Sequence, residues 1–268
     1  MTDITVATWN INSVRLRLET VLAYLREHAP DVLCLQEIKA LEDQFPAEVF
    51  AEAGWPHQAI AGFKGYNGVA TLSRIPLTDK GVKHWCGKED GRHVWVELPG
   101  KTEIHNFYVP AGGDEPDPEI NPKFAHKLQF LADMAMWFEA RKAPKNRFVL
   151  VGDLNVAPHE NDVWSHKALL KVVSHTPVEV EAMERLMAAH DWVDAVRYFT
   201  PDTEKLYSWW SYRAKDWEGA DKGRRLDHVW VTPPLRRHLK SAEVHKHVRG
   251  WELPSDHCPV AVTLELPK

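Results

Sequence analysis

FVLVGDLNVAPHEND, from Phe148 to Asp162, runs four apolar residues straight into Gly152, Asp153 and Asn155. The run is short and apolar enough to be a buried strand. Gly, Asp and Asn also end strands and open loops, so alone the stretch reads as a strand and a turn. The pattern recurs along the chain. Asn10 follows ITVATW, Glu37 follows VLCLQ, Asp227 sits within RRLDHVWV, and Asp256-His257 precedes CPVAVTL. Core strands bring their ends to a common edge, so acids and amides repeated there converge. Taken singly, each residue has an ordinary explanation: Glu37 a surface acid, Asp227 a partner for Arg224 or Arg225, Ser255-Asp256 a turn, His257 a structural imidazole. Taken jointly, the ordinary explanation needs five coincidences.

Hydrophobic spacing supplies the frame around these strand ends. Ile4–Trp9 alternates; Val14, Leu18, Val21, Leu22 and Leu25 then recur at helical spacing until Pro30, and Val32–Leu35 is a second apolar run, giving β–α–β. Strands are expected at 57–62, 67–73, 92–98 and 102–109, followed by the proline-rich acidic loop PAGGDEPDPEINP. A helix from Lys123 carries Phe124, Leu128, Leu131, Ala135 and Phe138 on one face and ends near Pro144; strand 147–151 and a helix from Glu179 to His190 come next. The last third reads as β again, at 206–213, 225–231, 240–248 and 259–266. Roughly eleven strands punctuated by two or three helices predict an α/β fold of two packed mixed sheets with helices outside, as one domain over 1–268.

Composition narrows the function classes. With 44% apolar residues and twelve Trp, the chain of 268 residues can bury a sizeable core. Three scattered cysteines without CxxC spacing indicate neither a disulfide framework nor a zinc knuckle. The N-terminal MTDITVATWN lacks the pattern of a signal peptide, and there is no membrane-length apolar run, so a soluble, cytoplasmic protein with reduced thiols is expected. A formal charge of −5 argues against a bulk basic coat but leaves room for a local basic face.

Several carboxylates held together repel unless a cation neutralises them, and hard oxygen donors with few thiols favour Mg²⁺ or Mn²⁺ over zinc. A histidine and amides beside such a site suit a substrate with anionic oxygens, because they donate to charge that builds during attack on phosphorus. Phosphoester hydrolysis is the expected reaction class.

TWNINSVRLR, DVLCLQEIK, YNGVATLSR, FYVP, VGDLNVAP, YSWWSYR, RRLDHVWV and PSDHCPV occur in that order. Together they resemble the exodeoxyribonuclease III family of DNA-repair nucleases, within the endonuclease/exonuclease/phosphatase superfamily, over essentially the whole chain. The QE, GDxN and SDHxP elements are shared across that superfamily, whereas WNINxxRxR and SWWxYR are narrower and point to its DNA-repair branch. The resemblance implies a four-layer α-β-β-α sandwich with the site at one end of the sheets. It also implies roles. Glu37, with Asn10 and Asp256, would hold Mg²⁺, for which Mn²⁺ would substitute; Asp256 would rest against His257. Asp153 would position and deprotonate the attacking water, and Asn155 would orient it. His257, held by Asp227, would donate to a phosphate oxygen, and Tyr108 would contact the scissile phosphate or help the leaving oxygen. Asp153, Asn155 and His257 also count among the residues implied to lie around the metal. Arg92 and Lys123 match basic positions near the DNA.

LYSWWSYRAKDWEGADKGRR gathers Trp, Tyr and cations in one segment. It is either a strand burying aromatics or a platform, with Trp209 or Trp210 packing on a sugar or base and Arg213, Lys215, Arg224 and Arg225 near phosphates. Arg15 and Arg17 could likewise reach phosphates. Two positions depart from the family's pattern. Ala111 stands where bacterial members commonly carry a Gln that reaches DNA, and Arg224 stands where an apolar residue usually helps close the abasic-sugar pocket. The expected activity is therefore 3′→5′ exonuclease and 3′-end trimming or phosphatase action on double-stranded DNA by a monomer, with incision at abasic sites beside it. The alternatives are a phosphoesterase acting on RNA or a small phosphoester, and a non-catalytic DNA-binding scaffold.

Overall fold

The computed structural model describes residues 1–266. Twelve strands form two six-stranded sheets. In chain order they are β1 (Thr2–Asn10), β2 (Val32–Gln36), β3 (His57–Ala61), β4 (Val69–Ser73), β5 (Thr78–Val82), β6 (His93–Leu98), β7 (Thr102–Tyr108), β8 (Phe148–Asp153), β9 (Val193–Asp194), β10 (Asp227–Val231), β11 (Leu239–Val244) and β12 (Val260–Leu266). One sheet has the order β11-β12-β1-β2-β4-β3, the other β5-β6-β7-β8-β10-β9. Both are mixed: β1 runs parallel to β2, and β7 parallel to β8, while the neighbours flanking each pair are antiparallel. Helices α1 (Leu18–His28) and α2 (Ala47–Glu52) cover the first sheet. Helices α3 (Pro122–Ala140) and α5 (Pro177–Ala189) cover the second, with the short α4 (His166–Leu169) between them in sequence. This is the four-layer α-β-β-α sandwich that the family resemblance implied, and its two packed sheets with helices outside are those expected from the strand and helix pattern.

Alternation explains the layers, since successive residues of a strand face opposite sides. On β1, Ile4 and Val6 enter the core between the sheets, whereas Ala7 and Trp9 pack outward under α1. On β8, Val149 and Val151 face inward and Phe148 and Leu150 meet α3 and α5. Near the sandwich end that carries the polar strand termini, the core is stitched by amides. Gln36 Nε2 donates across the sheets to Asn106 Oδ1 at 2.7 Å, and Asn106 Nδ2 donates to the backbone oxygens of Leu35 and Ala70. A buried amide with partners on both sheets fixes their relative register, one residue below Glu37 and two below Tyr108.

Several local expectations are corrected. Residues 206–213 form no strand; Trp209 makes only isolated bridges to Arg224 and His257, because the N–H groups of Ser208 and Trp209 both go to the Arg224 oxygen and that of Trp210 to the Asp256 oxygen, a pattern no regular ladder continues. Strands β5 and β9 were not expected, the first being polar and glycine-containing and the second only two residues long. Helix α3 buries Phe130 and Met134 besides Phe124, Leu131 and Phe138, with Lys127 among them. Helix α5 starts at Pro177, earlier than expected, because Thr176 and Glu179 form a capping box ahead of it.

Gly152 is required where it stands. Its φ is +139°, and a Cβ there would lie 1.9 Å from the Phe107 carbonyl oxygen on the parallel neighbour. Gly152→Ala is expected to cost more than about 3 kcal/mol, because backbone must move on both strands. Urea unfolding of the variant checks this; an unchanged midpoint would contradict it.

Candidate active site

Strand register assembles the site. Tyr108 on β7 is paired with Asp153 on β8, and Asp153 is paired with Asp227 on β10, so three adjacent strands present these side chains in a row. On the other sheet Asn10 is paired with Gln36, leaving Glu37 one step beyond the strand with a left-handed φ of +48°. Asn155, with φ +54°, turns back so that its own N–H reaches Asp153 Oδ1 at 3.0 Å. Non-glycine residues in this region are uncommon, and here two of them aim their polar groups at one point.

Asp153 is the centre. It is 1% exposed. Its Oδ2 accepts from Asn10 Nδ2 at 2.9 Å and Asn155 Nδ2 at 3.2 Å, with His257 Nε2 3.7 Å away. Burial raises its pKa to about 7; His257 opposes that shift, and the nearby charges of Asp227 and Glu37 add to it. A carboxyl poised near neutrality is well matched to taking a proton from water.

His257 is the opposite case. Burial alone would make it less basic, but the charge of Asp227, then that of Asp153, holds it protonated up to about pH 10. Asp227 Oδ2 lies 2.8 Å from His257 Nδ1 and also accepts from Ser208 Oγ at 2.6 Å. Trp9 Nε1 donates to the His257 carbonyl, and Ser255 Oγ accepts from its N–H, so the ring has a fixed seat. Tyr108 OH donates to Glu37 Oε1 at 2.8 Å, and burial followed by the Glu37 charge pushes its pKa well up, keeping it a donor.

Two groups offer places for a cation. Asp153, Asp227 and His257 offer ligand atoms within 4.8 Å of one another, but there the imidazolium already lies between the carboxylates and offsets part of their charge. The second lies at the mouth. Glu37 Oε2 holds Lys39 Nζ at 2.9 Å, and the same ammonium reaches Asn12 Oδ1 at 2.6 Å. Burial would raise the Glu37 pKa, yet bonds from Asn10 and Lys39 bring it below its usual value. These are hard oxygen donors already gathered on a cation, which fits a divalent ion of the magnesium type.

The cleft has a volume of about 690 Å³. Glu37, Tyr108, Asp153, Asn155 and His257 line one part, and Trp164, Val173, Trp209, Arg224 and Leu226 line another. Ala111 and the exposed Arg213 also border it. The structure separates residues that the sequence could not. Trp209 faces the cleft, whereas Trp210 is 2% exposed and packs on Tyr207 and Trp217, so Trp210 cannot stack on a substrate. Arg225 is equally removed, fully paired with Asp162 and Asp194. Arg17 is buried, its guanidinium bonded to the Asn12 and Pro254 oxygens and Tyr212. Arg15 is exposed. Asp256 does not bond His257; its Oδ2 accepts from Trp209 Nε1 at 2.9 Å and its Oδ1 from Asn12 Nδ2. Arg92 pairs with Asp90 and lies 5.0 Å over the Tyr108 ring, outside the cleft lining, and Lys123 is exposed at the start of α3. Sequence reasoning missed Lys39, Asn12 and Ser208. The first had one available signal, its place two residues after Glu37.

Comparison with known proteins gives the family and the fold. The Endonuclease/Exonuclease/phosphatase family matches residues 7–257. The exodeoxyribonuclease of Bacillus subtilis is 31% identical, over 97% of this chain and 98% of its own length. Among solved structures, an AP endonuclease from Archaeoglobus fulgidus is similar with TM-score 0.90 and 30% identity, covering 98% of this chain and 100% of that one. A 3′ phosphatase from Neisseria, bound to a product DNA hairpin, is similar with TM-score 0.88 and 30% identity, covering 98% and 99%.

Proposed function

The chain belongs to the endonuclease/exonuclease/phosphatase family, on its exodeoxyribonuclease III branch, and we propose that it is a metal-dependent DNA-repair phosphodiesterase. Its substrates are 3′ ends, 3′-phosphates and abasic sites in duplex DNA. The observation that carries this reading is the row of Tyr108, Asp153 and Asp227 on adjacent strands, with His257 bonded to Asp227 and within 3.7 Å of Asp153.

In this reading a water beside Asp153 attacks phosphorus while its proton passes to the carboxylate, and the amide of Asn155 orients that water. The protonated His257 donates to a phosphate oxygen as negative charge grows there. Tyr108 donates at the scissile phosphate or to the departing 3′ oxygen. Glu37, Asn10 and Asp256 would hold Mg²⁺, with Mn²⁺ as a substitute; when bound, it supplies charge neutralisation at the phosphate. Lys39 stands on Glu37 Oε2, one of the oxygens this ion would use, so the ammonium and the ion compete there. Trp209, Arg213 and Arg224 contact the nucleotide in the cleft, Lys123 contacts backbone phosphate, and Arg92 acts by holding Tyr108. We further propose that the protein works as a monomer and a single domain, in the cytoplasm; among the described residues no helix is long and apolar enough to cross a membrane.

The test compares duplexes carrying one abasic-site analogue, a 3′-phosphate or normal ends, each with Mg²⁺ and with EDTA. Cleavage that EDTA abolishes is the expected result. Turnover of RNA or a small phosphoester but of no duplex would move the protein to another substrate class. Absence of metal-dependent cleavage anywhere would overturn the reading.

A further inference from the structure

Arg224 and Arg225 are neighbours with opposite fates. Arg225 is neutralised by Asp162 and Asp194 in a buried ion cluster. Arg224 forms no ion pair among the described residues, although it is largely withdrawn from water and burial lowers its basicity. The acid nearest in influence, Glu179, is committed to Lys127, the Ser174 N–H and Thr176.

The guanidinium is held in place. The backbone of Arg224 exchanges hydrogen bonds with Trp209, and its guanidinium lies 5.3 Å from the Trp209 ring centroid. Nη1 donates to the Val173 oxygen at 3.0 Å and Ser174 Oγ at 2.8 Å. Nε is buried without a partner, and Nη2 makes no hydrogen bond among the described residues. Nε has no surface open to a ligand, so Nη2 is the nitrogen left to donate to a carboxylate or phosphate in the cleft, with the guanidinium charge behind it. Two more cations border the same cleft, the exposed Arg213 and Lys222, the latter with Nζ 4.9 Å from the Trp164 ring centroid. Acids also line it: Asp256 is bonded to Trp209, Glu37 to Lys39, Asp153 to the amides described above, and Asp114 lies on the proline-rich loop.

We infer that Arg224 forms a second anion subsite beside the hydrolytic centre, for a carboxylate or phosphate lying one linkage beyond the scissile phosphate. The inference rests on the phosphodiesterase reading above. A half-buried guanidinium without a counter-charge is costly to leave unpaired, so a ligand bearing a second anion gains what a neutral one forfeits. The anion has two possible sources, a charged fragment left on a 3′ end or the next phosphate of a continuing strand. In each case water adds to phosphorus, the P–O3′ bond breaks, and the 3′ oxygen leaves as a hydroxyl.

Two matched substrate pairs test the subsite. The first compares duplexes ending in a 3′-phosphoryl carboxymethyl group with ones ending in a neutral 3′-phosphoryl hydroxyethyl group. The second compares an internal abasic analogue followed by a normal phosphate with one followed by an uncharged methylphosphonate. Wild type is expected to prefer the charged member of at least one pair by roughly tenfold in kcat/KM, and Arg224→Gln to bring that ratio close to one. Arg224→Lys, which keeps the charge and loses the planar group lying over Trp209, should fall between them. Ratios within one variant cancel a general loss of folded enzyme. The pair that discriminates identifies the source of the anion. Cleavage of both pairs without preference, or a preference that survives in Arg224→Gln, would overturn the subsite and leave the phosphodiesterase reading standing. No cleavage of any substrate would count against that reading instead.

Discussion

Asp153→Asn is expected to lower turnover on duplex DNA by about a thousandfold or more, equivalent to roughly 4 kcal/mol of barrier, while leaving the fold intact. The substitution is nearly isosteric and removes a buried negative charge that already meets two amide donors, Asn10 and Asn155. Little packing is lost. What disappears is the one group on that strand end able to take a proton from water near neutral pH. In wild type the acid limb of the pH–rate profile should follow ionisation of this carboxyl, whose pKa is raised to about 7, so activity rises as pH passes through that range. A cation bound against Glu37 would shift the limb to lower pH, since it favours the charged carboxylate. Single-turnover kinetics with a thermal melt as the fold control decides the matter. Near-normal turnover in a folded variant would remove Asp153 from the chemistry.

The second large effect is at Asp227. Its charge is the main force raising the His257 pKa to about 10 against burial, which pulls the other way. The protonated imidazole is the donating form, so activity that depends on it is present below that pKa and lost as pH rises through it. Asp227→Asn removes the charge, and burial then dominates. The alkaline limb should move down from about pH 10 toward neutrality. Rate at slightly alkaline pH should fall about a hundredfold, the lower end of what positioned acid–base groups contribute. The variant also weakens the bond from Ser208, so a stability loss of about 1–2 kcal/mol accompanies it. A rate loss without movement of the alkaline limb would contradict the assignment of His257 as a donor.

How far the sequence carried the fold and site follows from the physics of each residue. Strand-end polar residues were legible because an apolar run fixes the strand and the next residue must lie at its end. The register then set Tyr108, Asp153 and Asp227 side by side without further information. The segment 206–213 misled because its aromatics have high β propensity, yet Ser208 is bound to Asp227 and Trp209 to Asp256, and these bonds fix the chain as an irregular link. Trp209 and Trp210, or Arg224 and Arg225, were indistinguishable for the same reason: adjacent residues face opposite sides, and only the bridges between segments decide which side meets the cleft. Lys39 was passed over because lysines are ordinarily solvated. Lys127 interrupts the apolar face of α3, yet it is fully buried and donates to the Asn155 oxygen and Glu179 beneath the turn that follows β8.

In the proposed reaction these converging strand ends drive water onto phosphorus. The most direct measurement is duplex cleavage in ¹⁸O-labelled water with Mg²⁺, followed by mass analysis of both products. Label is expected in the released phosphate group, with an unlabelled 3′ hydroxyl, from wild type but not from Asp153→Asn. Label in the 3′ hydroxyl, or equal label incorporation by the Asp153→Asn variant, would contradict it.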